Sequence, residues 1–443
     1  MKKIPRHIFV AASGWGSRIV AAVVQILMIR LVVKTLGADN YAAFALLCAL
    51  GGWFLLADFG LGFSLQNFIS KSRAHGVEYG KLLKSAVKIT FILFVFEITC
   101  LALLSPWTGS QLLRQFSFIG RFDKYVLFFS ACSLQLIVGI SQVAYKVWYG
   151  EQKGYLSNIL PAFSQLLGFG AVTVTLHFRG RLEGLILSYL IPQALIGMFS
   201  LGYLWMEHSA EEGSGRQEMK PLLRNALAFG GFNLLVNFVL QADMPIVSHY
   251  LPPRQTATYA VISRVFSFIF IIYTSALLAL WPVCGEHLAV HDWEPVKRYV
   301  RNYILGGWAI VVIFTLLVAY KLSLITSIIA PNAKLEAPVG AILAFGMYYV
   351  IRVWTDTYAM VLACRSHLYP LWISTPIQAI LSVVFQIILI QRLGVQGAVW
   401  GMMGSFLFTA AWIVPWSVRR MRIADEKCPE AMKDEIGAII SDI

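Results

Sequence analysis

Residues 9–33 read FVAASGWGSRIVAAVVQILMIRLVV, an apolar run with Arg18 well inside it. As a helix it rises about 38 Å, enough to cross a hydrocarbon core of about 30 Å. A guanidinium near mid-depth costs at least about 2.5–3.5 kcal/mol, so the rest of the chain must give Arg18 somewhere polar to point. At helical spacing it shares a stripe with Gly14, Ser17, Ala21, Ala22 and Gln25, while Trp15, Ile19, Val23 and Ile26 fall on the other side and can face lipid. We read the stripe as the lining of a watery cavity. The competing reading makes Arg18 an ion-pair partner between helices; snorkelling to a headgroup does not suit a residue so deep.

The surrounding composition agrees with a membrane chain. Of 443 residues 58% are hydrophobic and 13% charged, with a mean hydropathy of +0.69; this is the signature of a polytopic membrane protein. The net charge of +13 does not require nucleic acid. Segments assigned to the cytoplasm carry roughly twice as many Lys and Arg as the outward loops, which is the positive-inside asymmetry. Cys48, Cys100, Cys132, Cys284, Cys364 and Cys428 lie in spans and at cytoplasmic ends, without metal-ligand spacing and away from outward loops where a disulfide would form. Lys2, Lys3 and Arg6 precede an apolar run too long for a cleaved signal, so the first span is expected to be retained with its start in the cytoplasm.

Hydropathy gives twelve spans, at 9–33, 41–65, 82–105, 124–149, 155–177, 183–206, 222–248, 256–282, 302–328, 338–363, 369–391 and 395–418. An even number puts both termini in the cytoplasm. Residues 207–221, with Glu211, Glu212, Gly213, Ser214 and Gly215, form a linker between an N-terminal half, 1–206, and a C-terminal half, 222–418. Residues 419–443 are a cytoplasmic tail with a short amphipathic stretch, Glu430 to Ile440. The halves echo one another in order: Gln25 and Met28 match Gln241 and Met244, Leu36 and Tyr41-Ala42 match Leu251 and Tyr259-Ala260, and Tyr155 matches Tyr369. The expected fold is therefore all-α, with twelve transmembrane helices in two parallel six-helix halves around a central cavity.

Other charges inside spans are Arg30, Asp58, Glu97, Asp243, Arg264, Arg352 and Asp356. Arg264 lies on a second small polar stripe with Ala260, Ser263 and Ser267. Arg352 shares a face with Tyr348, Tyr349, Thr355 and Asp356, and the Arg352–Asp356 spacing of i,i+4 fits mutual neutralisation as well as substrate contact. Arg30 sits on another face and one turn from Lys34, where it can snorkel. Glu97 has no cation at helical spacing, which makes it a candidate proton carrier unless a distant arginine pairs with it. Asp243 precedes Pro245, where helix backbone is disturbed. Gln135, Gln142, Tyr145 and Tyr149 line a further stripe of amides and phenols, explained either by a glycan or by helix packing. The triplet Asp58-Phe59-Gly60 lacks every companion motif of a kinase; no Walker loop, metal-binding histidine pair or catalytic triad is present, so neither enzyme chemistry nor a cofactor is expected.

Two stretches point to a family. Leu36-Gly37-Ala38-Asp39-Asn40-Tyr41-Ala42-Ala43-Phe44 resembles the outward hairpin between the first two spans of polysaccharide flippases. Ala57-Asp58-Phe59-Gly60-Leu61-Gly62, followed by Gln66-Asn67-Phe68-Ile69, resembles the end of their second span. With its twelve spans, the whole chain resembles the Wzx-type O-antigen flippases, of the superfamily that also holds lipid II flippases and multidrug extruders. The resemblance implies transport of an undecaprenyl-diphosphate-linked oligosaccharide from the cytoplasmic to the periplasmic leaflet of the bacterial inner membrane. It also implies an O-antigen polymerase and chain-length regulator as neighbours, and a proton or sodium gradient as the energy source. Lipid II flippases carry arginines in their first and eighth spans, which by position correspond to Arg18 and Arg264. Substrate contacts are then expected at Arg18, Gln25, Arg264, Arg352, Gln142 and Tyr145, and ion coupling at Glu97, Asp243 and Asp356. The competing functions are a drug or cation antiporter, which would want a carboxylate-rich cavity, and a membrane glycan polymerase or acyltransferase, which would show a large outward loop or a reactive histidine.

Overall fold

The computed structural model describes residues 6–74, 78–208, 216–289, 291–321, 338–365, 367 and 369–426. Residues 209–215 of the linker and the tail beyond 426, with its amphipathic stretch, lie outside the described residues, as does the end of the ninth span. Those described are helical, without a strand among them. Ten of the helices are long and apolar enough to cross a membrane. The two expected spans missing from that set are the second, which is broken, and the tenth, whose apolar run is diluted by Arg352 and Asp356.

The described chain divides into two compact units between Ala260 and Val261. The first contains α1 (Arg6–Leu36), α2 (Ala38–Ala49), α3 (Gly51–Phe54), α4 (Leu61–Ala74), α5 (Gly80–Leu112), α6 (Arg121–Ile140), α7 (Gln142–Gly150), α8 (Gly154–His177), α9 (Leu182–Glu207), α10 (Arg216–Leu240) and α11 (Asp243–Tyr250). The seventh span, α10 and α11, thus groups with the first six, whereas the linker at 207–221 was expected to divide the chain before it. The physical reason lies in two helix breaks that meet.

The second span was expected to be one helix over 41–65, but it opens between Phe54 and Leu61. Phe59 and Gly60 take φ of 48° and 79°, and Asp58 accepts hydrogen bonds from the backbone N–H of Gly60 (2.8 Å) and Gly62 (2.9 Å). The triplet Asp58-Phe59-Gly60 is therefore a turn that caps α4. A Cβ on Gly60 would come within 2.6 Å of the Gly230 nitrogen on α10, so two backbones touch where only glycine fits. The seventh span breaks at Gln241 and Ala242. Pro245 has no N–H to offer the Gln241 carbonyl four residues back, and the Trp53 indole donates to that carbonyl instead, at 3.3 Å. Asn237 in turn donates to the Gly52 carbonyl at 2.7 Å. Backbone groups freed by each break are thus satisfied from the other, as hydrocarbon surroundings demand. Ser64 adds a hydrogen bond to the Leu222 carbonyl, above a core of Leu61, Leu65, Val143, Val147, Leu204, Leu222 and Ala226.

The repeat seen in the sequence is only partly kept. α1 runs unbroken past Gln25, while its counterpart breaks at Gln241, because only the second copy carries a proline at that register.

The second unit begins within α12 (Pro253–Ala289) and continues through α13 (Trp293–Tyr320), α14 (Val339–Cys364), α15 (Tyr369–Leu393), α16 (Val395–Phe408) and α17 (Ala410–Glu426). Phe266 is fully buried at its centre, stacked on Phe345 and Tyr349 and edge-on to Phe314.

Candidate functional site

On α1, Trp15, Ile19 and Val23 are exposed, as their spacing leads one to expect. Arg18 is exposed as well. Yet Ala22, Ile29 and Val32, which lie within about 40° of Arg18 around the helix axis, are all buried. The face that holds Arg18 is therefore sealed further along the helix and open at the arginine. Arg18 acts electrostatically on the Tyr149 hydroxyl, which donates to Asn158 Oδ1 at 2.6 Å. Asn158 Nδ2 donates to Ser13 Oγ at 3.0 Å. Arginine, phenol, amide and hydroxyl thus gather from α1, α7 and α8. Asn158 escaped the sequence reading because it belongs to no stripe of its own; the signal is its packing against Gly14, a contact between helices. Gln25 sits half-buried on the stripe.

The fourth-span stripe divides. Gln135 is buried and donates to the Leu47 carbonyl at 2.6 Å. Tyr145 is buried against Trp148 and hydrogen-bonds Ser200, so in this structure it packs between helices. Gln142 is half-buried, with only a long 3.4 Å contact from its amide to the Val138 carbonyl among the described residues, and can still meet a ligand.

Glu97, on α5, has one carboxylate oxygen buried and without a hydrogen-bond partner among the described residues. Its electrostatic neighbour is Asp58, which in turn interacts with Lys146. Lys146 lies over the Phe63 ring, 3.8 Å from its centroid. Lys146 was not singled out in the sequence, because Glu97, Asp58 and Lys146 come from α5, the turn before α4, and α7, which no local spacing relates. Asp243, the first residue of α11, accepts a short hydrogen bond from Tyr259.

In the second unit Arg352 makes a two-pronged ion pair with Asp356, Nε to both oxygens at 3.1–3.2 Å and Nη2 to Oδ2 at 2.8 Å. Its Nη1 donates to the Tyr348 hydroxyl at 3.1 Å, and the rings of Phe270, Tyr348 and Phe406 stand 4.9–5.8 Å from the guanidinium carbon. Of the two readings open for this pair, mutual neutralisation is the one the geometry supports. Arg264 is half-buried on α12, beside Ser267, whose hydroxyl meets Tyr349 at 3.1 Å.

A second cluster of charged and polar side chains lies in the first unit, at the turn between α7 and α8. Glu151, in the turn between α7 and α8, is buried. It accepts from Tyr79 at 2.9 Å, pairs with Lys153 at 2.9 Å and meets His208 Nε2 at 3.4 Å; Lys153 also reaches Glu207 at 2.7 Å. Burial alone would raise the Glu151 carboxyl, but the bonds from His208, Lys153 and Tyr79 outweigh it and bring its pKa down to about 2. The bond to Glu151 holds His208 above its ordinary value despite burial.

Ten membrane-length helices among the described residues, with charged and polar side chains inside them, define a multi-pass membrane protein, and its relatives make it a transporter. The fold matches an inward-facing multidrug resistance transporter of the MATE family at a TM-score of 0.71 (14% identity, 93% of this chain, 95% of that one). It also matches an inward closed lipid II flippase at 0.67 (14% identity, 93% and 87%). Residues 9–287 match a family described as polysaccharide biosynthesis protein, and residues 230–391 match the MatE family. A Yersinia pseudotuberculosis protein named as an O-antigen export protein is 37% identical over 94% of this chain and 97% of its own. One from Salmonella typhimurium, named as an O-antigen transporter, is 33% identical over 93% and 96%. The chain belongs to the polysaccharide biosynthesis protein family of these O-antigen export proteins.

Proposed function

We propose that this protein flips an undecaprenyl-diphosphate-linked O-antigen repeat unit from the cytoplasmic to the periplasmic leaflet of the bacterial inner membrane, both termini being cytoplasmic. Near-full-length kinship with O-antigen export proteins supports the substrate class. The observation that carries the mechanism is Arg18, exposed on a face that is buried further along the same helix. A diphosphate needs a cation whose donors are paired and planar, and arginine supplies that fork. Gln25, Gln142 and the Tyr149–Asn158 pair offer donors and acceptors to the glycan. Arg264 is the corresponding cation of the second unit, reached as the transporter alternates its access. Arg352 grips substrate only if Asp356 first lets go, so its resting role is structural. Glu97 is the foremost coupling carboxylate for a proton or sodium gradient, ahead of Asp243 and Asp356, which already hold partners.

The test is a deletion strain complemented with variants. Loss of the protein should leave lipid-linked repeat units on the inner leaflet, and wild type should restore surface O-antigen. Restoration by Arg18→Gln at normal protein level would end the phosphate-binding reading. The match of residues 230–391 to MatE favours a second reading, cation or drug antiport. That reading expects Arg18→Glu to retain or gain cation efflux.

A further inference from the structure

In the second unit, α13, α14 and α17 enclose a groove of about 570 Å3, within the range of about 300–1,000 Å3 typical of small-molecule sites. Its walls are aromatic. Trp308 and Trp354 are stacked with ring centroids 6.1 Å apart. Each indole N–H is spent on a backbone carbonyl, Val350 at 2.9 Å and Ala411 at 3.0 Å, so these two rings are fixed with their apolar faces to the groove. Trp412 and Trp416 of α17 are exposed beside them. A wall of this kind on a membrane-spanning unit suits hydrocarbon.

The rim is different in kind. Lys297 and Arg301, one turn apart on α13, face Arg419 and Arg422 on α17. Two of the four are compensated: Lys297 pairs with Glu294 and lies 3.8 Å from Glu426, and Arg422 lies 3.5 Å from Glu426. Arg301 and Arg419 form no ion pair among the described residues. An apolar trough ending in an excess of cations complements a molecule with an acyl chain and a negative headgroup, as basic pockets between helices on the cytoplasmic side do for anionic lipids.

We propose that this groove is a binding site for an anionic glycerophospholipid of the cytoplasmic leaflet, with the headgroup phosphate between Arg301 and Arg419 and one acyl chain along Trp308, Trp354 and Trp412. The site is separate from the residues that serve transport, and it does not depend on which glycan is carried. The bilayer supplies such lipids in large excess over any carrier lipid, which is why the groove is assigned to them.

The test uses the full chain in detergent with equimolar phosphatidylglycerol and phosphatidylcholine, read by native mass spectrometry. Phosphatidylglycerol should be retained several-fold over phosphatidylcholine. Arg301→Gln with Arg419→Gln should bring that preference to near one, the matching lysine pair should keep most of it, and Lys81→Gln, on a different unit, should leave it unchanged. Trp412→Ala should reduce retention of both lipids. Equal retention of the two lipids by wild type, or an unchanged preference in the double glutamine variant, overturns the proposal. Displacement of phosphatidylglycerol by a lower concentration of undecaprenyl phosphate would give the groove to the carrier lipid, and that too overturns it.

Discussion

At the scale of single residues, the arginines differ in what their neighbours leave them free to do. Arg18 is exposed, whereas Arg352 is half-buried and paired with Asp356. For Arg18, lysine should retain part of the activity, glutamine should fail, and glutamate should fail worst, because it adds repulsion where screening is poor. Arg30→Ala, on another face, should be mild. Surface O-antigen on gels, normalised to protein level, reads the series, and an equal loss for Arg30 and Arg18 would remove the reason for singling out Arg18. For Arg352 the expected signature is instability. Removing either Arg352 or Asp356 should cost roughly 3 kcal/mol, and removing both should cost less than the sum, measured as a double-mutant cycle in detergent. The one-helix geometry of these residues was legible in the sequence, since i,i+4 spacing is a local property. The surroundings of Tyr145 and Glu97 were not, because Ser200 and Asp58 approach from distant parts of the chain and no periodicity announces them.

The elements tell the same story at larger size. Helix existence followed from apolar runs, but the break in the second span was hidden inside a run whose hydropathy looks continuous. Its cue was Asp58-Phe59-Gly60, an acid placed to bond two N–H groups followed by a residue that accepts positive φ. Gly60→Ala should destabilise by about 1–3 kcal/mol, since both the conformation and the contact with Gly230 refuse a methyl group. Asp58→Ala should lose about 0.5–2 kcal/mol from the cap, with asparagine costing less. Thermal midpoints in detergent distinguish these from transport defects. If Gly60→Ala were as stable as wild type, the close approach of α4 to α10 would be wrong. The break at Gln241 was better marked, by Pro245, and there the expectation of disturbed backbone near Asp243 is met.

For the whole molecule, the cluster around Glu151 sets a pH window. Glu151 has its pKa lowered, so its contribution is full above the ordinary 4.5 and is lost as the pH falls towards about 2. His208 has its pKa raised, so its contribution is full below the ordinary 6.5 and fades as the pH climbs through the elevated value. Stability from this cluster should therefore peak between about 4.5 and 6.5. Glu151→Gln should flatten the profile and cost about 2 kcal/mol when unfolding is followed against pH. Orientation has its own check: on a background without native cysteines, Glu78→Cys should react with impermeant thiol reagents only after the membrane is opened, and Ser117→Cys should react from outside. The contact between the second and seventh spans also has a consequence for biogenesis. Ser64 and its acceptor at Leu222 are separated by 158 positions in the chain. At about 5–20 residues per second, a nascent chain waits roughly ten to thirty seconds between making the broken second span and making the helix that completes it. Through that interval the unfinished turn at Asp58 sits in the membrane without its closing partner. The early chain is thus most exposed to membrane proteases, or most in need of an insertase that stays bound, between the third span and the seventh.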